Sequence, residues 1–177
     1  MRKVAKGDHA AFRQLVEKHQ AAVVGTIGRM LSGSSDIDDL AQTVFIRVWR
    51  NAPNYQPKAK FTTWLFTIVR NLVYNETKKQ TRIRKQVFSL NSSVVEFDPP
   101  DEGLGPEAQL KQVELQRMVD QAVAALPERQ RLAIILRRYE GLTYEEIAEV
   151  MELSLAAVKS QIFRARTTLK EKLKPLL

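Results

Sequence analysis

Apolar side chains recur at spacings of three and four residues through most of the 177 positions of this chain, which is the period of amphipathic α-helices. The sequence contains neither strand-like alternation with hairpin turns nor a repeat of fixed length. The helical pattern stops at residues 91–106, where Pro, Gly and Ser combine with acidic side chains. We therefore predict an all-α protein of two small helical domains, at residues 1–88 and 107–177, joined by an acidic flexible linker at residues 89–106.

The charge is distributed unevenly along the chain. The total of +8 divides into 16 Lys and Arg against 6 Asp and Glu in residues 1–95, 2 against 7 in residues 96–127, and 10 against 7 in residues 128–177. Two basic units on either side of an acidic middle favour a nucleic-acid partner or an acidic membrane surface. Charge alone does not distinguish these two partners.

Several classes of protein are disfavoured by what the sequence lacks. No apolar run approaches a membrane span, and no apolar stretch follows the basic N-terminus, so we expect a cytoplasmic protein without membrane insertion. With no Cys and only two His, neither a metal nor another cofactor is expected. Common catalytic motifs are missing, and Asp38 and Asp39 adjoin each other on a helix, where they point about 100° apart. We expect a binding protein and not an enzyme.

Three helices are predicted in the N-terminal domain. The first carries an apolar face of Phe12, Leu15, Val16, His19, Val23 and Ile27. The second begins after a Gly-Ser break at residues 32–35, which is expected to supply its cap, and carries Ile37, Leu40, Ala41, Val44, Phe45 and Val48. The third follows a loop at residues 51–57 and turns inward Phe61, Trp64, Leu65, Ile68 and Leu72. These stripes predict one shared core.

The C-terminal domain is predicted to open with a helix at residues 107–126, whose inward residues are Leu115, Met118, Val119 and Ala122. Pro127 is expected to start the next helix and Gly141 to end it. A further set of residues is expected to pack the remainder of the domain: Ile147, Ala148, Met151, Leu155, Val158, Ile162 and Ala165.

A helix-turn-helix is predicted near the C-terminus. Thr143 and Glu146 have the spacing of a capping box at the start of a short helix that runs to Met151. A turn at residues 152–154 leads to a longer helix at residues 155–172. Such a pair presents its second helix to the major groove of DNA.

The second helix of this pair leaves a face of Ala156, Lys159, Ser160, Phe163, Arg164 and Thr167 outside the predicted core. These groups offer hydrogen bonds and charge to bases and phosphates, and the Phe163 ring can touch a thymine methyl. The alternative is a solvated basic face. DNA binding is favoured because a merely solvated face has no reason to expose Phe163.

Two further faces have less specific patterns. On the third helix of the N-terminal domain, amides, a tyrosine and cations suit single-stranded or distorted DNA as well as a solvated helix end; they are Asn71, Tyr74, Asn75, Lys78, Arg82 and Lys85. On the second helix, a polar face with one apolar residue fits a protein partner, although its spacing slightly favours an ordinary solvated surface; it comprises Asp39, Gln42, Thr43 and Ile46.

Three segments together, at residues 36–49, 61–71 and 126–166, resemble the bacterial RNA polymerase sigma factors of the extracytoplasmic-function (ECF) group, in the sigma-70 superfamily. The resemblance implies two helical domains, a three-helix-type region two and a helix-turn-helix region four. It implies that core RNA polymerase binds the chain through the clamp of its largest subunit and through its flap region, and that the whole directs transcription from promoters. It also implies a regulating anti-sigma factor.

The resemblance assigns a role to each face. The polymerase-binding residues would be Asp36, Asp39, Gln42, Thr43 and Ile46, which reverses the interpretation favoured by spacing. The loop at residues 51–60 would capture a base flipped from the minus-10 element, and the minus-10 DNA-binding set would be Tyr55, Asn71, Tyr74, Asn75, Lys78 and Arg82. The minus-35 DNA-binding set would be Arg137, Lys159, Ser160, Phe163 and Arg164. Trp64 is assigned to the core by its apolar phase, and the linker would run toward the active-centre and RNA-exit channels of the polymerase.

Two other functions compete with this interpretation. A stand-alone transcriptional regulator would bind an operator with its helix-turn-helix and use the N-terminal helices to sense a ligand or to dimerise. A DNA recombinase with a helix-turn-helix tail would cleave DNA strands, but the sequence offers no nucleophile constellation for it.

Overall fold

The computed structural model describes residues 1–32, 36–86 and 106–174. Within these ranges the chain forms α-helices and short 3-10 turns and no strand, so the all-α prediction is confirmed. The predicted linker lies outside the described residues, except for Pro106. The helices are α1 (His9–Met30), α2 (Ile37–Asn51), α3 (Phe61–Gln86), α4 (Pro106–Ala124), α5 (Glu128–Arg138), α6 (Tyr144–Met151) and α7 (Leu155–Leu173), with 3-10 turns at Val4–Lys6 and Ala52–Asn54.

Helices α1, α2 and α3 pack around one core, as the three apolar stripes predict. The side chains that are fully buried at their centre are Val23, Ile27, Val44, Val48 and Leu65. The prediction for the start of α2 is wrong in one detail, because Asp36 and not the Gly-Ser break holds the N-cap position. Residues 33–35 of that break lie outside the described residues.

Helices α4 to α7 form the second packed unit, centred on Leu132, Ile135, Leu136, Ile147 and Val158. Its first helix boundary differs slightly from expectation, because Pro127 is the N-cap of α5 and not its first helical residue. Gly141, with φ +66°, follows the end of that helix in the left-handed conformation that glycine tolerates best.

The helix-turn-helix has the predicted local chemistry. The Thr143 backbone N–H donates to Glu146 Oε2 at 2.8 Å, and the Glu146 backbone N–H donates to Thr143 Oγ1 at 3.2 Å, which completes the capping box. Glu152 then turns the chain in the left-handed conformation, with φ +54°. Ser154 caps α7 by accepting a hydrogen bond from the Ala157 N–H at 3.2 Å. Local hydrogen bonds therefore define the start of each helix and the turn between them.

Three side chains that were predicted to face inward are exposed. Leu115 and Met118 of α4 are 49% and 37% exposed, and the residues of this helix that are described as buried, Ala122 and Val123, lie near its C-terminal end. Leu155 is 36% exposed, because it is the first residue of α7 and lies one turn before the buried Val158.

Helix α3 is buried on two sides, whereas its sequence predicts a single apolar stripe. Besides the stripe that faces α1 and α2, a second set of side chains is buried at other helical phases, and it consists of Thr63, Phe66, Val69, Arg70 and Val73. Helix α3 packs against α6 of the C-terminal unit, and α1 packs against α4 and α5. The two helical units therefore lie in direct contact.

None of the helices in the described ranges combines the length and the apolar character that crossing a membrane requires.

Candidate functional site

The exposed face of α7, named the recognition face, comprises Ala156, Lys159, Ser160, Phe163, Arg164 and Thr167, and the structure exposes all six. Phe163 is 71% exposed, the largest value among the large hydrophobic side chains described as exposed. The opposite side of the helix is held by Val158, Ile162 and Ala165, which are buried. A rigid helix therefore presents one cation on either side of an open aromatic ring.

Arg137 lies at the end of α5, near the start of the helix-turn-helix. Its Nη1 donates to the Leu142 carbonyl at 2.9 Å, and its guanidinium lies 5.2 Å from the centre of the Tyr144 ring. Because Arg has five N–H donors, this exposed side chain keeps donors for another partner while it braces the loop before α6.

The predicted polar face of α2 is open to solvent. Asp36, Asp39, Gln42 and Ile46 are exposed, and Ile46 is 49% exposed. Thr43 is only half-buried at this face, and its hydroxyl donates back to the Asp39 carbonyl of its own helix at 2.9 Å. The hydroxyl proton of Thr43 is thus already engaged in a hydrogen bond within α2.

Beside this face lies a groove between α1 and α2, named the α1/α2 groove, with a volume of about 700 Å³. Gln42 and Ile46 contribute to its lining together with Phe12, Val16 and Trp49. Sequence reasoning placed Phe12 and Val16 in the core, but they are half-buried and line the groove. The signal that could have found it is the spacing of Gln42, Ile46 and Trp49, which share one helical face.

A second cavity, named the Tyr55 cavity, has a volume of about 830 Å³, and the rings of Tyr55 and Phe61 line it together with cations such as Lys18 and Lys60. The Tyr55 ring packs edge-on against Trp64 with centroids 4.9 Å apart, and Phe61 lies 5.2 Å from the His19 ring. Burial and the nearby Lys18 lower the pKa of His19, so that the neutral ring is favoured. Trp64 is half-buried within this cluster, in keeping with its predicted place against the core.

The polar track of α3 comprises Asn71, Tyr74, Asn75, Lys78 and Arg82. Asn71, Asn75, Lys78 and Arg82 are exposed, whereas Tyr74 is half-buried. Burial raises the pKa of Tyr74 to about 12, so the phenol stays protonated as a donor. The side chain of Lys85 lies outside the described residues.

Asn71 and Tyr74 line a cleft of about 270 Å³ whose opposite wall includes Arg129 and Glu152 of the C-terminal unit. Tyr55 lines the other cavity, so the structure does not bring Tyr55 and Asn71 into one pocket. The side-chain oxygen of Asn71, Oδ1, accepts hydrogen bonds from Arg70 Nε at 3.0 Å and from Arg70 Nη2 at 2.6 Å. Arg70 thereby fixes the orientation of the Asn71 amide.

Two ion pairs that sequence reasoning missed join this part of the N-terminal unit to the helix-turn-helix. Arg70 Nη2 lies 2.6 Å from Glu152 Oε1, and Lys60 Nζ lies 2.8 Å from Glu146 Oε1. The hydrogen bonds from these cations lower the pKa values of both carboxyls. Partners more than 80 positions apart leave no signal in local sequence patterns.

The chain matches known proteins along almost its whole length. Residues 15–83 match the family Sigma-70 region 2, and residues 116–169 match Sigma-70, region 4. RNA polymerase sigma-H factor of Pseudomonas aeruginosa is 36% identical over 99% of this chain and 92% of its own length. ECF RNA polymerase sigma-E factor of Escherichia coli K12 is 33% identical over 99% of this chain and 93% of its own.

Solved structures agree with these matches. The sigma factor RpoE of Bartonella quintana, in complex with the anti-sigma factor NepR, superposes with a TM-score of 0.78 and 26% identity over 93% of this chain and 97% of that one. CnrH in complex with the cytosolic domain of CnrY superposes with a TM-score of 0.70 and 25% identity, over 98% of this chain and 94% of that one.

The chain belongs to the sigma-70 family of RNA polymerase sigma factors, in its ECF group. It is a transcription initiation factor and not an enzyme: it binds core RNA polymerase and directs promoter-specific transcription.

Proposed function

We propose that three surfaces of the chain divide the work of initiation. The recognition face of α7 reads minus-35 duplex DNA, the polar track of α3 with the Tyr55 cavity reads and opens the minus-10 element, and the polar face of α2 with the α1/α2 groove docks on the polymerase clamp. The observation that carries the proposal is the recognition face itself, where Phe163 is 71% exposed on a helix whose other side is fully packed.

For the minus-35 element, the shape of the recognition face fits the major groove. Lys159 and Arg164 supply charge for phosphates or guanine, while Ser160 and the Phe163 ring reach base edges. Arg137, next to the start of α6, adds a further donor. The residues 128–177 carry only 10 Lys and Arg against 7 Asp and Glu, so this domain alone is a weak binder whose contact counts when polymerase holds a second one.

For polymerase docking, α2 combines acidic and apolar side chains. Asp36, Asp39 and Gln42 offer acceptors to a basic partner surface, and Ile46 stands beside the half-buried ring of Trp49 at the groove. An apolar centre with a polar rim is the usual composition of a protein interface. The helices that line the groove are fixed by the core of the N-terminal unit, so little ordering is required on binding.

For the minus-10 element, the Tyr55 cavity has room for a base taken out of the stack, and the rings of Tyr55 and Phe61 line it. Lys60 at its edge supplies charge for the backbone. The cations and amides of the polar track continue along α3, where they can follow a single strand. The base-capturing cavity and the track are separate, so we propose that they hold different nucleotides.

We further propose that an anti-sigma factor regulates the chain, since RpoE was solved in complex with the anti-sigma factor NepR. The chain would act in the cytoplasm, where core polymerase and DNA reside. The domain boundaries at residues 1–88 and 107–177, and a linker at residues 89–106 that runs into the polymerase channels, belong to the same proposal.

In vitro transcription by core polymerase on a promoter library tests the proposal. Gln42→Ala is expected to weaken polymerase binding, whereas Arg164→Ala is expected to leave that binding intact and to weaken minus-35 recognition by about 1–3 kcal/mol. Polymerase affinity is measured by titration of labelled core enzyme. Equal loss of polymerase affinity in both variants contradicts the division of labour.

A further inference from the structure

Arg70 and Asn71 are neighbours on α3 whose side chains are joined by two hydrogen bonds. Arg70 Nε donates to Asn71 Oδ1 at 3.0 Å, and Arg70 Nη2 donates to the same oxygen at 2.6 Å. Arg70 is only 6% exposed, whereas Asn71 is exposed on the polar track. A buried guanidinium therefore engages the oxygen of an amide that lies at the surface.

The two bonds determine which end of the Asn71 amide is left for another partner. An arginine side chain carries N–H donors and no acceptor, so the amide atom that faces it must be the oxygen. The Nδ2 group, with its two hydrogens, lies at the other end of the amide. Asn71 therefore presents donors, and not an acceptor, to a molecule that binds the polar track.

The surroundings of Arg70 keep its guanidinium in place. Arg70 lies between Phe66 and Val73 on the second buried face of α3, at helical spacing from both. A charged group in such surroundings must be paired or hydrogen-bonded, because leaving it bare is costly. The Asn71 amide is thus ordered when the chain folds, so that no entropy is lost in ordering it when DNA binds.

Arg70 has a second partner outside α3, since its Nη2 also lies 2.6 Å from Glu152 Oε1. A guanidinium has five N–H groups, which is enough for both contacts. Because Arg70 and Asn71 are adjacent on one helix, their own contact requires no residue of the C-terminal unit. The two contacts of Arg70 can therefore be removed separately.

We propose that Arg70 is a positioning residue for minus-10 recognition: it makes Asn71 a donor-only reader, which selects a base whose edge offers a hydrogen-bond acceptor to α3. The inference rests on the proposed function of the polar track. An amide that can turn over serves donor and acceptor edges alike. A fixed amide sets its N–H groups against the amino group of a wrong base and leaves both sides unpaired, which is a source of discrimination.

Substitutions at position 70 test this role. Arg70→Met keeps an unbranched apolar side chain and removes both donors to Asn71, whereas Arg70→Lys retains one charged donor and should restore the contact in part. Glu152→Gln is the matched control, because it removes the ion pair and leaves Arg70 beside Asn71. Each variant, with core polymerase, transcribes a promoter that the chain uses, in versions that carry each of the four bases at each minus-10 position.

The position read by Asn71 is the one whose base discrimination is lost in Asn71→Ala. There, Arg70→Met is expected to lower the ratio of transcription from the preferred base to that from the others about three- to tenfold, as for one hydrogen bond. Arg70→Lys should lose less, and Glu152→Gln should keep the ratio. An equal fall for all four bases in Arg70→Met, or the same loss of ratio in Glu152→Gln, overturns the proposal. Circular dichroism establishes that each variant is folded.

Asn71→Asp tests the direction of the amide. It keeps an oxygen for Arg70 and replaces the two donors by a second acceptor. Its charge repels the phosphates of every promoter version alike, so the ratio between bases isolates the base-specific effect. That ratio is expected to fall below the ratio of Asn71→Ala, because an acceptor then faces an acceptor. A ratio equal to or above that of Asn71→Ala overturns the proposal.

A second measurement reports the orientation of the amide without DNA. Nitrogen-15 relaxation of the Asn71 side-chain amide, whose signal is assigned by its absence from Asn71→Asp, should show restricted picosecond-to-nanosecond motion in the unmodified chain and in Glu152→Gln. Arg70→Met should increase this motion. Equal mobility in all three proteins overturns the proposal.

Failure of the proposed function is recognised separately. If Asn71→Ala retains base discrimination at every minus-10 position, then Asn71 does not read a base, and the proposed function of the polar track fails together with the inference. If Asn71→Ala loses the discrimination at one position while Arg70→Met retains it, the inference alone fails.

Discussion

The two helices proposed to contact DNA, α3 and α7, have very different surroundings. On α7 the recognition face is open along its length, and Phe163 is 71% exposed. On α3 the polar track is partly covered, since Tyr74 is half-buried and Arg70 is tied to Glu152 at 2.6 Å. The recognition face is therefore accessible along α7, whereas part of the polar track of α3 is covered by the helix-turn-helix.

The largest expected effect is the difference in the free energy of unfolding between one substitution on α3 and one on α7. Phe66→Ala removes a side chain that is 3% exposed on the second buried face of α3, and it should lower the free energy of unfolding by about 3–5 kcal/mol. Phe163→Ala should change it by less than about 0.5 kcal/mol, because the ring is in solvent. Urea unfolding of both variants measures this contrast. Similar losses at the two positions would contradict the assignment of one ring to packing and the other to recognition.

A smaller effect should separate the recognition face from the rest of α7. Lys159→Ala is expected to weaken promoter binding by the polymerase complex and to reduce the slope of log affinity against log salt by about 1, because one phosphate contact is lost. Lys172→Ala is the control, since it removes the same charge about three and a half turns further along the same helix. If both variants lose the same slope, charge alone and not the face accounts for binding.

The smallest effect should be a pH dependence of the contact between the two helical units. Burial raises the pKa of Glu140, against weaker opposing effects of its Thr26 bond and Arg29. Because the pKa of Glu140 is raised, its contribution to the stability of the contact is fully present below the ordinary Glu pKa. That contribution is lost as pH rises through the raised pKa. The lowered pKa values of Glu146 and Glu152 act in the opposite sense and only below the ordinary value, so the two windows do not overlap.

Since the chain has no Cys, spin labels at Glu17→Cys on α1 and Glu171→Cys on α7, both exposed positions, allow the distance between the units to be measured by electron-electron double resonance over a pH series. Glu140→Gln should remove the change that lies just above the ordinary carboxyl pKa, while the change at lower pH stays. An identical pH profile for the unmodified chain and Glu140→Gln would assign the dependence to another group.

The local parts of this structure follow from local sequence. The capping box at Thr143 and Glu146, the turn at Glu152 and the exposed face of α7 all depend on residues within a few positions of one another, and all were predicted. The three-helix core was likewise predicted from its stripes, because helical periodicity reports which side of a helix is buried.

What sequence reasoning missed depends on distant contacts. The second buried face of α3, with Phe66 and Val73, is apolar because it meets α6, and its polar neighbours Thr63 and Arg70 obscure its period. Leu115 and Met118 follow helical spacing on a part of α4 that reaches past the core. The pairs of Lys60 with Glu146 and Arg70 with Glu152 arise only when the two units meet.

The left-handed turn at Glu152 strains the backbone locally but places a carboxylate between the two units. At φ +54°, glycine would relieve about 1 kcal/mol of backbone strain, and helix ends with this geometry commonly carry it. A glutamate at this position makes the helix-turn-helix less stable than it could be and in return gives it a side chain that pairs with Arg70 of α3. The turn between the two helices of the helix-turn-helix is thus also a point of attachment between the two units.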